Sequence, residues 1–278
     1  MSGIHQEPRG NFIENTINGL YATIGHAMYA DSLAGGAGLL QPIDPRVKLA
    51  GVLSLIAAAA FSRRLSVIAC ILVAALMLGA LSRLPLWRAM APVWIAALTF
   101  TGAIALPAIF LTPGDSVYHL RRANWDITAQ GLRTAAYLML RVETSATLAL
   151  LLVFTTPWTH VLKALRVLRV PAVFVVVLGM TFRYILLLLE TTREMFESRK
   201  SRTVGKLTRR DYRRLAVSSG AVLLGKTFHL SGEVFLAMQS RGFRGEVYVL
   251  DEFRMSARDW AALTLFTAAA AAAVWAGR

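Results

Sequence analysis

Long stretches of this chain carry no Asp, Glu, Lys or Arg: 49–62, 65–82, 89–114, 144–159 and 260–277. A helix rises 1.5 Å per residue, so about 20 apolar residues cross a hydrocarbon layer about 30 Å thick. With modest flanks, 65–82, 89–114 and 260–277 meet that length. The first run extends back through Val47. The fourth extends back to about Arg133 once Arg141 and Glu143 are accepted inside the helix. The pattern predicts five transmembrane helices at 47–62, 65–82, 89–111, 133–155 and 259–277.

Charge lies elsewhere. The 278 residues are 56% hydrophobic with a mean hydropathy of +0.53, yet the formal net charge is +14. Disorder is excluded by the apolar content, and an internal disulfide by the single cysteine, Cys70. A soluble nucleic-acid binder explains the charge but not the hydrophobicity. Residues 156–258 hold 18 Lys/Arg against 8 Asp/Glu, a net of +10. Cytoplasmic loops collect Lys and Arg, so this segment is expected in the cytoplasm. Four preceding spans put the N-terminus there too, and 112–132 outside. Arg63 and Arg64 then lie outside, against the rule.

The expected organisation is a cytoplasmic or interfacial segment (1–46), four spans (47–155), a cytoplasmic domain (156–258) and a C-terminal span (259–278). The first 40 residues show no basic stretch followed by an apolar core, so no cleaved signal is expected. Ile13, Ile17, Leu20, Ile24 and Met28 instead lie on one helical face, suited to a membrane surface or a partner.

The cytoplasmic segment reads as three helices, which makes the fold all-α: a polytopic bundle with a domain of crossed amphipathic helices. The first follows Thr156, read as its cap, with Pro157 in its opening turn. The second, about 172–201, is apolar at first and then highly charged. It is the one stretch that competes as a sixth span. The third, about 209–240, sets Gly220, Leu224, Phe228, Ser231, Phe235 and Met238 on one face, a mix that suits close crossing of another helix.

Gly220-Ala-Val-Leu-Leu-Gly225-Lys226-Thr227 matches the phosphate-loop pattern G-x-x-x-x-G-K-[ST], and Val247 to Glu252 resembles an apolar strand ending in Asp-Glu. Together they raise a membrane-attached P-loop ATPase. A phosphate loop, however, follows a buried strand and opens a helix. No strand precedes Gly220, and the intervening residues continue a helical face.

Two short motifs are more informative. Ser201-Arg202-Thr203 and Ser240-Arg241-Gly242 each end a long helix, with an Arg between small neighbours. A guanidinium so placed can enter a partner's groove and grip carboxylates in bidentate fashion. Each is also simply a cation near a helix C-terminus. Residues 190–203, ETTREMFESRKSRT, and 224–244, LGKTFHLSGEVFLAMQSRGFR, resemble the two coupling regions of the transmembrane T component of energy-coupling-factor (ECF) transporters. The stretch from Gln41 through Asp44-Pro45-Arg46 to Lys48 is similar to that family's approach to its first span. The nearest likeness is to its cobalt-transport branch, CbiQ. Thr203 departs from the Gly, Ala or Ser usual there.

The resemblance implies a non-catalytic subunit of an ATP-driven importer in the bacterial inner membrane. It binds no cofactor itself; ATP belongs to two partner cytoplasmic ABC ATPases. A CbiM-like substrate-binding membrane subunit, with or without a small CbiN-like one, is the other implied partner, and no nucleic acid is involved. Arg202 and Arg241 become the coupling residues, flanked by Ser201, Thr203, Ser240 and Gly242. Cobalt is the implied cargo, with nickel or a vitamin as alternatives. The five histidines are scattered, and no ligand spacing occurs within the spans. A self-contained secondary transporter calls for internal repeats and broken polar spans, and neither is visible. Arg141 and Glu143 are costly in a membrane, which points to function; two residues apart, they do not face each other on a helix, so snorkelling or contacts to other helices are expected for them ahead of a transport role.

Overall fold

The computed structural model describes residues 32–36, 38–111, 116–120, 125–168, 170–202, 209–243 and 255–277, with single positions between 18 and 25. Helices dominate: α1 (Pro45–Phe61), α2 (Leu65–Leu81), α3 (Leu86–Leu111), α4 (Ala129–Thr155), α5 (Trp158–Val167), α6 (Ala172–Arg202), α7 (Arg209–Ser240) and α8 (Ala257–Gly277). The amphipathic pattern expected over 12–30 falls almost wholly outside the described residues.

The chain divides into two units, one of residues 30–168 and 251–278, the other of residues 1–29 and 169–250. In the first, α1 is the central helix. Pro45 occupies its opening turn, where its missing N–H costs nothing, and the Asp44 carboxylate accepts from the Arg46 amide. Val47, Val52, Leu55, Ala58 and Ala59 of α1 pack with Ile71 and Ala75 of α2, Leu148 of α4, and Phe266, Ala270 and Ala273 of α8. Gly51 lets α8 approach: a Cβ there would lie 2.6 Å from the Phe266 ring. A second cluster joins Leu40, Leu84, Met90 and Leu151, and Trp94 Nε1 of α3 donates to Thr147 Oγ1 of α4 at 3.1 Å.

At the far end of α1 the turn Ser62–Arg64 is held through its backbone. Arg63 N–H donates to the Gly277 carbonyl at 2.8 Å. Arg141 Nη2 donates to the Ser62 carbonyl at 3.0 Å, and the Tyr137 hydroxyl donates to the Arg63 carbonyl. Arg141 thus caps another helix across the bundle, a contact to another helix being one of the two expectations for it. The cost of a guanidinium among apolar helices is offset by satisfying an orphan C-terminal carbonyl.

Two details differ from the sequence reading. Thr156 caps nothing in α5: it is the residue after α4, and Pro157 stands at the N-cap of α5. The extended backbone of Pro157 (ψ 145°) is what an N-cap requires, one residue later than expected. The segment 112–132 also contains a small antiparallel hairpin, β1 (Ser116–Leu120) with β2 (Trp125–Thr128), where only helices were expected. Thr128 ends β2 and caps α4, its hydroxyl accepting from Gly131 N–H at 3.1 Å.

Among the described residues, five helical stretches are long and apolar enough to cross a membrane: Met90–Pro107, Ala129–Thr155, Ala172–Arg202, Arg213–Ser240 and Ala257–Gly277. The chain is a multi-pass membrane protein. Three of these coincide with expected spans. The expected first two correspond to α1 and α2, each of 17 residues, or about 25 Å of helix. α6, the stretch that competes as a sixth span, and α7, expected outside the membrane, meet the same length and composition test.

Candidate functional site

The second unit has little core of its own. Among its described residues only Phe196 and Ser219 are buried. Local interactions make its helices. In α6, Arg193 pairs with Glu190 at 2.7 Å and with Glu197 at 3.7 Å, one turn to either side. Arg199, Lys200 and Arg202 fill the last turn, where cations favour the helix dipole. α7 opens with Asp211 in its first turn, the complementary choice.

Among the described residues, Arg199 ties the two helices together. Arg199 Nη1 of α6 donates to Ser219 Oγ at 2.9 Å, Ser218 Oγ at 3.2 Å and the Leu215 carbonyl at 3.4 Å. The crossing therefore lies at Leu215–Ser219, not on the face expected from the sequence. Leu224, Phe228 and Phe235 of that face are exposed, and nothing among the described residues comes within 4 Å of a Cβ placed at Gly220, Gly225 or Gly232. Tyr21 also reaches α6: its hydroxyl donates to Glu197 at 2.9 Å, and Arg193 lies 4.9 Å from its ring centroid. The bond to Glu197 raises the Tyr21 pKa above its ordinary value.

Both arginine motifs stand at helix ends. Arg202 is the last residue of α6 and Ser240 the last of α7. Each preceding or opening serine bonds back three residues: Ser201 Oγ to the Ser198 carbonyl at 2.8 Å, and Ser240 Oγ to the Ala237 carbonyl at 2.9 Å. The hydroxyls are thus turned onto their own helices, while Arg202 and Arg241 are exposed. Thr203 lies outside the described residues.

The end of α7 has a specific backbone form. Phe243 N–H donates to the Met238 carbonyl at 3.0 Å, and Gly242 N–H to the Gln239 carbonyl at 2.9 Å. Gly242 has φ +74°. This is the Schellman cap, in which a left-handed residue just past the helix folds the chain back onto its last carbonyls. Sequence reasoning treated Gly242 as a small flank; its backbone angle is a second reason for glycine. The Ser-Arg-Gly order itself was the available signal, since Gly marks such caps. Arg199 left no such signal, because its partners lie 16 to 20 residues away.

The phosphate-loop match is helix throughout. Gly220 to Thr227 lies inside α7, and Thr227 Oγ1 bonds the Leu223 carbonyl at 2.8 Å, as a helical threonine does. Its backbone N–H groups are committed to the helix, so they cannot cradle a phosphate. The strand-like match at 247–252 lies outside the described residues. Among the described residues no group of three His, Cys, Asp or Glu is placed to hold a metal.

Residues 37–249 match the family described as Cobalt transport protein, CbiQ. An uncharacterized protein of Methanocaldococcus jannaschii is 31% identical over 88% of this chain and 85% of its own length. The cobalt transport protein CbiQ of Rhodobacter capsulatus is 30% identical over 55% of this chain and 64% of its own length. The energy-coupling factor transporter transmembrane protein EcfT of Brevibacillus brevis is 30% identical over 76% and 83% respectively.

Proposed function

Because this chain belongs to the CbiQ family of cobalt transport proteins, we propose that it is the non-catalytic T subunit of an ECF-type importer. It joins two cytoplasmic ABC ATPases to a substrate-binding membrane subunit. The observation that carries this reading is the pair of exposed arginines, Arg202 and Arg241, each at the end of a long helix beside a serine turned back on its own helix. Two similar cations suit two equivalent acidic grooves, one on each member of an ATPase pair. Ser201, Thr203, Ser240 and Gly242 keep the approach narrow. Residues 169–250 then act as the cytoplasmic coupling unit, and ATP binds to the partners rather than to this chain.

Cobalt is the proposed cargo, supported by the family description and by the name of the R. capsulatus relative. The B. brevis relative's name specifies no substrate, so nickel or a vitamin is the alternative. The inner membrane of a bacterium is the proposed location, with Arg202 and Arg241 on the cytoplasmic side.

Coexpression with the ATPase pair and the substrate-binding subunit tests the reading. The wild-type chain should copurify with both and support ATP-driven uptake of Co2+. Removing a hydrogen-bonded charge from an interface costs about 2–5 kcal/mol. Arg202→Ala and Arg241→Ala should each weaken ATPase association, and the double variant should abolish uptake. Normal uptake by the double variant overturns the assignment.

A further inference from the structure

The unit that bears both arginines is discontinuous: besides residues 1–29 it takes in residues 169–250, so the bundle unit is left after residue 168 and regained at residue 251. Beside the connection at residues 29–30, any displacement of residues 169–250 therefore pulls on two covalent legs. The outgoing leg is the end of α4 followed by α5, and the returning leg is the start of α8. Both are fastened to the same turn of α1 by buried polar contacts.

On the outgoing leg, Lys48 Nζ donates to the Thr155 carbonyl at 2.8 Å, at the last residue of α4. On the returning leg, Asp259 Oδ1 accepts from the Asp44 N–H at 2.7 Å. Asp259 Oδ2 accepts from both the amide and the hydroxyl of Ser256, each at 2.8 Å. One carboxylate thus caps α8 and holds the start of α1. Lys48, Asp44 and Asp259 are 2%, 6% and 4% exposed, and the ammonium interacts electrostatically with both carboxylates. All three border a cavity of about 920 Å³ that also meets Pro157 and His160 of the outgoing leg.

Stability alone does not call for this arrangement. Buried ion networks are often no more stable than apolar packing of the same volume, and the rest of α1 is packed by apolar residues. What the network adds is direction. Hydrogen bonds to a carbonyl and an amide fix position and angle, whereas apolar contacts slide. We propose that Asp44, Lys48 and Asp259 are positioning residues for energy coupling, forming the joint at which movement of the inserted unit is delivered to the bundle. The proposal rests on the functional reading above.

The test measures Co2+ uptake and ATP hydrolysis together, in vesicles holding the full complex. Lys48→Met keeps the length of the side chain and removes the ammonium. Asp259→Asn keeps one acceptor oxygen and loses the second. Both variants should still copurify with the ATPases and hydrolyse ATP, while uptake per ATP falls about tenfold, within the range of coupling free energies between sites. Lys48→Arg, which can still donate to the Thr155 carbonyl, should recover part of that ratio. If Lys48→Met does not assemble, Asp259→Asn reads the same ratio. An unchanged ratio overturns the joint, whether both activities are normal or both fall in parallel. A wild-type chain that recruits no ATPase overturns the functional reading itself, and this joint with it.

Discussion

Arg199 Nη1 and Ser219 Oγ meet at 2.9 Å, joining the end of α6 to the first third of α7. Ser218 and the Leu215 carbonyl accept from the same nitrogen. The donor stands three residues before Arg202, so this contact sets where one arginine motif is presented relative to the other helix.

Replacing that donor loosens the crossing. Arg199→Ala is expected to cost about 1–2 kcal/mol, the usual value for a charged donor reduced by the partial exposure of the site. Hydrogen exchange should report it as faster exchange of residues 215–219, by roughly 5–30-fold. Arg199→Lys should fall between, since a compact ammonium does not reproduce the geometry of the guanidinium fork. Unchanged exchange in the Ala variant would mean that other contacts hold the crossing.

Gly242 tests whether backbone shape matters to the second motif. A side chain at φ +74° strains the cap by about 1–2 kcal/mol. Gly242→Val is therefore expected to weaken ATPase binding although Arg241 is intact. Gly242→Asn should be milder, because Asn tolerates the left-handed region. Equal effects of Val and Asn in a pull-down titration would indicate that volume rather than conformation is at stake.

How much was legible in the sequence follows from the range of each interaction. The long charge-free runs marked α3, α4 and α8, and the bounds of α6 and α7 followed from their charge and small-residue patterns, because helices are set by neighbours one turn apart. The motif arginines at helix ends were legible for the same reason. Arg199 with Ser219 and Asp44 with Asp259 were not, since nothing local in either residue names a partner 20 or 215 positions away. The hairpin at 116–128 was missed because its strands have only five and four residues, so the alternation in Trp125-Asp-Ile-Thr128 is too brief to mark a strand. Gly220 to Thr227 shows the opposite hazard: a perfect pattern match whose chemistry depends on a backbone form that the chain does not adopt.

Lys226 is exposed on α7 and serves no phosphate site. Lys226→Ala should leave ATP hydrolysis and transport by the assembled complex unchanged, and the isolated wild-type chain should bind no nucleotide in equilibrium dialysis. Loss of nucleotide binding in the variant would restore the ATPase reading.

Arg141 is expected to matter for stability rather than transport. Arg141→Ala removes the donor to the Ser62 carbonyl, at a cost of about 1.5–3 kcal/mol for a charged hydrogen bond. Thermal unfolding in detergent should shift down by several degrees, while uptake per folded complex stays constant. A normal Tm with abolished uptake would assign Arg141 to the transport path instead.

Gly51 accepts Phe266, a residue made long after it. During synthesis the central helix therefore waits, one flank uncovered and the Asp44 amide without its carboxylate, while more than a hundred further residues emerge. Both arginine motifs exist before that flank is closed. α8 is thus the fastening step of the bundle, and until it is made the side of α1 that receives Phe266 and Asp259 stays bare.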